Sequence, residues 1–240
     1  MKAFKTISTL AIVCALVFVS FTARQNPDDS GYVSYTADPK SQDIRLYWKN
    51  DSGRVFGSIQ SLKSELDSKH KTLLFAMNGG MYKSDHSPQG LFIQSGKTIT
   101  ALDTSSGKGN FYLKPNGVFY MTRTKEAFIC KTSNFRDDNQ IAFATQSGPM
   151  LVIDGKIHPG FTKGSGNLNI RNGAGILPDG RIVFAMSKKQ INLYDFASYF
   201  KNLGCKNALY LDGFVSRAYL PEKNWTQTDG YFGVLIGITN

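Results

Sequence analysis

Short apolar runs, each closed by polar or glycine punctuation, recur along the chain and predict strands rather than helices. Runs of 4 to 7 residues rich in β-branched and aromatic side chains cover Tyr32–Thr36, Ile44–Trp48, Leu73–Met77, Leu91–Gln94, Val118–Thr122 and Phe128–Lys131. They continue at Ile141–Thr145, Met150–Ile153, Ile182–Met186, Ala208–Leu211 and Phe232–Ile238. Ser95-Gly96, Asp154-Gly155 and Asp179-Gly180 are hairpin-type dipeptides between such runs. Helical spacing occurs twice. Ile59, Leu62 and Leu66 predict a helix over about Ser58–Lys69. Leu193, Phe196, Phe200 and Leu203 predict another over Leu193–Leu203, with Asn192 as its cap and Gly204 at its end. Many strands with two or three packed helices predict an α+β single domain built on an extensive mixed or antiparallel β-sheet.

The first residues do not belong to this pattern. Lys2 and Lys5 precede an apolar run from Ile7 to Ser20, and the first acidic residue is Asp28. A basic start followed by such a run reads as an export signal over 1–23. The run is short of the ~20 apolar residues of a membrane span. A polar linker over 24–31 and one domain over 32–240 would follow. The expected location is periplasmic or extracellular, with a retained N-terminal membrane anchor as the alternative. Losing Lys2 and Lys5 lowers the formal charge from +10 to +8. Cys130 and Cys205 would then be the remaining cysteines of three, read either as two buried thiols or as one disulfide.

Composition narrows the function classes. A 41% hydrophobic share is too high for a disordered chain. The 28 Lys and Arg exceed the 18 Asp and Glu, yet they are scattered, and no RNA-binding motif accompanies them. Nucleic acid is therefore not an expected partner; peripheral association with anionic envelope polymers is. With three His and no Cys-x-x-Cys or His-x-x-x-His, a zinc site is not expected. No cofactor is called for, although a divalent cation near Asp85 or Asp212 stays open.

Four segments differ from ordinary connections. Asn78-Gly79-Gly80 leaves an apolar strand and runs on to Asp85, where paired glycines would let backbone N–H groups approach a ligand. Lys114-Pro115-Asn116-Gly117 offers an anion partner in Lys114 and either a hairpin turn or a ligand contact in Asn116. Ser147-Gly148-Pro149 lacks the flanking glycine of a nucleophile elbow. Arg171-Asn172-Gly173-Ala174-Gly175 carries a guanidinium suited to phosphate or carboxylate, and Asp212-Gly213 ends a later apolar strand.

In this order, Asn78–Gly80, Ser147–Leu151, Arg171–Gly180 and Leu211-Asp212-Gly213 with Ser216 resemble the phosphodiester glycosidase family. The stretches NFYLKPNGVF (Asn110 to Phe119) and ATQSGPMLVI (Ala144 to Ile153) resemble its exported bacterial branch. One departure is Phe214-Val215, which stand where the family's glycine-rich acid loop has two glycines. The resemblance implies hydrolysis of a sugar-1-phosphodiester, from a glycan or cell-envelope glycophosphodiester, to a free sugar and a phosphomonoester. It implies that Arg171 and the backbone around Gly79, Gly80 and Gly148 hold the phosphodiester. Asp212 would do acid/base or nucleophilic work, with Asp85 as second carboxylate. Asn78, Asn116, Asn172, Ser147, Gly213 and Ser216 would line the substrate. Two alternatives accompany this reading: a non-catalytic anionic-glycan-binding protein on the same scaffold, and a generic phosphodiesterase.

Overall fold

The computed structural model describes residues 29–240, so the export signal and most of the expected linker lie outside the described residues. In chain order the strands are β1 (Tyr32–Ala37), β2 (Asp43–Tyr47), β3 (Leu73–Asn78), β4 (Phe92–Gln94), β5 (Lys97–Thr100), β6 (Gly117–Thr122), β7 (Ala127–Lys131) and β8 (Ile141–Ser147). They continue as β9 (Met150–Ile153), β10 (Lys156–Ile157), β11 (Asn172–Ile176), β12 (Ile182–Ser187), β13 (Ala208–Tyr210), β14 (Ala218–Leu220), β15 (Trp225–Thr226) and β16 (Leu235–Thr239). The α-helices are α1 (Ile59–Ser68) and α2 (Leu193–Asn202).

These strands form three sheets, ordered β1-β12-β11-β13-β9-β10, β15-β14-β3-β16-β2 and β5-β4-β8-β6-β7. Every described strand pair is antiparallel, so no parallel neighbours make the sheets mixed. The reason lies in the two helical connections. The connection β2-α1-β3 brings back a strand parallel to β2, but β16 from the chain's end pairs between the two. The connection β12-α2-β13 leaves a gap in the same way, and β11 fills it.

Both helices start as their caps direct. Ser58 accepts from the Ser61 N–H (3.1 Å), and Asn192 accepts from the Asp195 N–H (2.9 Å). Gly204 closes α2 at φ 85, a conformation that favours glycine. Helix α2 lays Phe196, Ala197 and Phe200 against Val183, Ala185 and Ala208 on one face of the first sheet. Ile182, Phe184 and Met186 point from the other face into the central core. With both faces covered, all six residues of β12 are buried. Phe184 joins the three sheets, with ring centroids 5.7 Å from Phe75 and 5.9 Å from Phe119. Helix α1 covers the second sheet through Ile59, Leu62 and Leu66.

The segment after Arg171, absent from the expected strands, is the central strand β11. Its glycines serve close packing. A Cβ at Gly175 would lie 2.6 Å from Phe200 Cδ1 and 2.8 Å from Cys205 Sγ, and one at Gly173 would lie 2.8 Å from the Leu209 carbonyl. Asn116-Gly117 is likewise not a hairpin turn, because Gly117 opens β6 and pairs with Ser147 and Lys131. Cys130 and Cys205 are free thiols, and burial pushes them up to about 11 and about 12. Among the described residues no helix is long and apolar enough to cross a membrane.

Candidate active site

The ends of β3, β11 and β13 meet through a web of hydrogen bonds. Asn78, the last residue of β3, is 1% exposed. Its amide nitrogen donates to the Asp212 carbonyl (2.6 Å), and its amide oxygen accepts from the Arg217 N–H (2.9 Å). Its own carbonyl accepts from the Asn172 side chain (2.9 Å). The Asp212 N–H donates to the Gly79 carbonyl (3.2 Å). Asn78 and Asn172 therefore clamp backbone and fix where Asp212 leaves the sheet.

Arg171 precedes β11 and Asp212 follows β13. The pairing of Gly173 with Tyr210 continues past the strand ends, since the Leu211 N–H donates to the Asn172 carbonyl (3.1 Å). Arg171 and Asp212 stand just beyond this last bonded pair, and both act on Tyr210, Arg171 by a hydrogen bond and Asp212 by its charge. Arg171 is 1% exposed, and Asp212 is half-buried. The guanidinium donates from Nε to the Ile191 carbonyl (3.2 Å), from Nη1 to the Tyr210 hydroxyl (3.2 Å) and from Nη2 to the Asn167 carbonyl (2.9 Å) and Oδ1 (3.1 Å). All four acceptors are neutral. Among the described residues no carboxylate lies within 4.0 Å of it. Burying a charge in this way is unfavourable unless it is hydrogen-bonded or paired.

Tyr210 is a member of the cluster that the residue motifs did not single out. Its oxygen accepts from Arg171 and is also reached by the Gly213 backbone. Burial raises its phenol, the Asp212 charge adds to the rise, and Arg171 opposes it. Its place two residues before Asp212 is the one signal in the sequence that could have found it. Tyr82 feels Asp212 as well: burial first, then the Asp212 charge, raises its phenol. Ser216 joins through Gly213, whose carbonyl accepts from the Ser216 hydroxyl (2.9 Å).

Ser147, Gly148 and Pro149 abut this cluster, since the Tyr210 N–H donates to the Pro149 carbonyl (3.0 Å). Ser147 is fully buried, which does not suit a nucleophile. Its Oγ and the Oδ1 of Asn172 are buried without a hydrogen-bond partner among the described residues, an arrangement folded proteins rarely tolerate. The residue beside it, Gln146, is a structural hub. Its amide oxygen accepts from the Leu91 and Asp103 N–H groups, and its nitrogen donates to the Asp103 carbonyl.

Other expected residues stand elsewhere. The Gly79 N–H is not available to a ligand, because it donates to the Val234 carbonyl (2.8 Å). Gly79 and Gly80 permit tight packing: a Cβ would lie 2.9 Å from Val234 Cγ1 at the first and 2.9 Å from the Gln146 carbonyl at the second. Lys114 and Asn116 line a separate cavity of about 400 Å³ with Lys131, Thr132 and Ser133. Asn116 donates to the Phe111 carbonyl (3.0 Å) and backs Gly148, where a Cβ would lie 2.6 Å from Asn116 Cβ.

Asp85 does not join Asp212 as a second carboxylate. It is exposed, and Oδ1 accepts from the Ser87 N–H (3.0 Å) and hydroxyl (2.6 Å), closing a local turn. It lines a different groove, with Arg54, His86 and Tyr231. Among the described residues no three His, Cys, Asp or Glu side chains come together as a metal-ligand set.

The three-sheet antiparallel fold resembles that of a solved glycosidase domain. The solved catalytic domain of zebrafish N-acetylglucosamine-1-phosphodiester alpha-N-acetylglucosaminidase, auto-inhibited by pro-peptide, superposes with a TM-score of 0.55 at 15% identity, covering 88% of each chain. A hypothetical protein from Synechocystis superposes with a TM-score of 0.55 at 14% identity, covering 87% of this chain and 59% of that one. At such identities the likeness is one of fold. Sequence carries the assignment further: the family model described as Phosphodiester glycosidase matches residues 71–233. The chain is also 38% identical over 188 residues to the uncharacterized protein YigE of Escherichia coli (strain K12), covering 78% of this chain and 73% of that protein. The chain belongs to the phosphodiester glycosidase family.

Proposed function

We propose that this chain is an exported hydrolase that cleaves a sugar-1-phosphodiester of a glycan or cell-envelope glycophosphodiester, adding water to give a free sugar and a phosphomonoester. The observation that carries the reading is Arg171, a buried guanidinium whose hydrogen-bond partners among the described residues are all neutral, gathered with Asp212 around Tyr210. One Nη1 N–H of Arg171 remains beyond these four bonds, and a phosphodiester would accept a charge-assisted hydrogen bond from it. Further negative charge develops as the bond breaks, so a preorganised guanidinium stabilises that charge more than the ground state. Asp212 serves as the acid/base or nucleophilic carboxylate, held by Asn78. Tyr210 keeps its proton at neutral pH and ties Arg171 to the Gly213 loop. The basic start and apolar run at the N-terminus support export.

The test is a product assay on the purified protein, with and without a chelator, using sugar-1-phosphodiesters and aryl phosphodiesters. The reading expects free sugar and a phosphomonoester from the first group only. Aryl turnover without sugar release would make the chain a generic phosphodiesterase. Saturable glycan binding with no product would make it a binding protein.

A further inference from the structure

Tyr231 is 72% exposed, the most open of the large apolar side chains among the described residues. A single exposed aromatic is ordinary, but this one is held in place. The His86 ring meets it edge-on at 3.9 Å between centroids, and the Tyr82 ring stacks on His86 at 5.2 Å. The Tyr82 hydroxyl donates to the Tyr231 carbonyl (2.8 Å), and Trp48 Nε1 donates to the His86 carbonyl (2.8 Å). His86 itself sits at φ 62, a left-handed conformation uncommon outside glycine.

The ring borders a groove of about 430 Å³ that also takes in Arg54, Ser58, Asp85 and His86. Ser87 fixes one oxygen of Asp85 and leaves Oδ2 without a hydrogen bond among the described residues. Arg54 and Asp85 line the same groove without forming an ion pair, so a donor fork and an acceptor both face it. Their charges cancel, which favours a neutral ligand over an anion. A rigid aromatic face with a charged donor and a charged acceptor beside it matches a pyranose ring. The ring's C–H face lies on the negative face of the aromatic, and its hydroxyls both donate and accept. Prior immobilisation of the platform lowers the entropy lost on binding.

We propose that Tyr231, Arg54 and Asp85 form a binding subsite for a neutral pyranose unit, on the segment that leads away from the Asp212 cluster. Tyr82 is the link, since it buttresses His86 and follows three residues after Gly79, whose carbonyl accepts from the Asp212 N–H. The placement beside Asp212 rests on the cleavage reading above; the sugar binding does not. It gives Asp85 a role in substrate selection rather than in bond breaking.

Calorimetric titration of the full chain with linear tetrasaccharides of N-acetylglucosamine, glucose and mannose tests this. At least one should bind saturably, Tyr231→Ala and Asp85→Ala should each weaken it tenfold or more, and Tyr231→Phe should retain it. Tyr231 is exposed, so an unchanged melting temperature of the alanine variant confirms that it folds. Asp212→Asn should bind the same sugar as tightly as the parent while losing turnover. If none of the three sugars binds, or if Tyr231→Ala binds as well as the parent, the subsite does not exist. Turnover surviving in Asp212→Asn while Tyr231→Ala loses binding would remove the cleavage assignment and leave the subsite standing.

Discussion

The side-chain amide of Asn78 donates to the main-chain carbonyl of Asp212 at 2.6 Å, although the two residues are 134 positions apart in the chain. The position of the carboxylate is thus set by a residue on another sheet. Asn78→Ala would leave the Asp212 carbonyl and the Arg217 N–H without these partners in a buried setting. An unsatisfied buried group costs about 1–3 kcal/mol, so the variant should lose about 2–4 kcal/mol of stability. Chemical denaturation measures that loss, and turnover should fall in the fraction that remains folded.

Arg171→Lys should fold and fail to turn over. A lysine keeps the charge but cannot reach Ile191, Tyr210 and Asn167 together, so the fork geometry is lost. Loss of one such preorganised contact lowers kcat by about 10²–10³. A steady-state rate within tenfold of the parent would contradict the assigned role.

Tyr210→Phe separates positioning from packing. The ring stays, and only the oxygen between Arg171 and Gly213 goes. The net stability change should be about 1 kcal/mol, that of a typical hydrogen bond. If the oxygen aligns Arg171 for the reaction, kcat should drop by tenfold or more with little change in KM; equal effects of Tyr210→Phe on both would point to a structural role alone.

His158 predicts a pH dependence of stability. Its Nδ1 accepts from the Gly160 N–H (3.0 Å), so Nε2 carries the proton toward the Lys114 carbonyl (3.1 Å). Burial lowers its pKa below the ordinary 6.5, while the contact with Lys114 opposes the shift. The unfolded chain therefore binds the proton first as the pH falls. Its contribution to stability is complete above about 6.5 and is lost below that, down to the folded value. Denaturation at pH 7.5 and pH 5.5 should show a smaller drop for His158→Gln than for the parent.

Gly175→Ala tests the helix–sheet contact behind the site. The added methyl meets Phe200 and Cys205 in a filled core, and overpacking of this kind costs about 1–3 kcal/mol. Thermal melts should show a corresponding loss without a change in KM.

The strands that alternate or run apolar were legible from residue pattern, as were α1 and α2 with their capping residues. What was not legible has a common cause. Segment 171–176 lacks apolar bulk because α2 and β13 come too close for side chains, so a central strand reads as a glycine loop. Lys97–Thr100 and Trp225–Thr226 are short edge strands whose pairing depends on a neighbour rather than on their own composition. Asn78, Arg171, Asn172 and Asp212 were readable as a group, whereas Tyr210 looked like a core aromatic. Asp85 carries the right functional group, but Ser87, two residues on, turns it into a loop closure.

The strand β16 lies between β2 and β3, and this has a consequence for how the chain comes to be folded. The unit β2-α1-β3 has two strand edges facing an empty slot until residues 235–239 arrive. During synthesis every element between β3 and β16 must emerge before that slot can be filled, and the open edges invite pairing with other chains meanwhile. Asn78 is the last residue of β3 and pairs with Leu235. Assembly of the Asn78 end of β3 is thereby coupled to completion of the sheet, so a nascent chain holds the pieces of the candidate site but not the site.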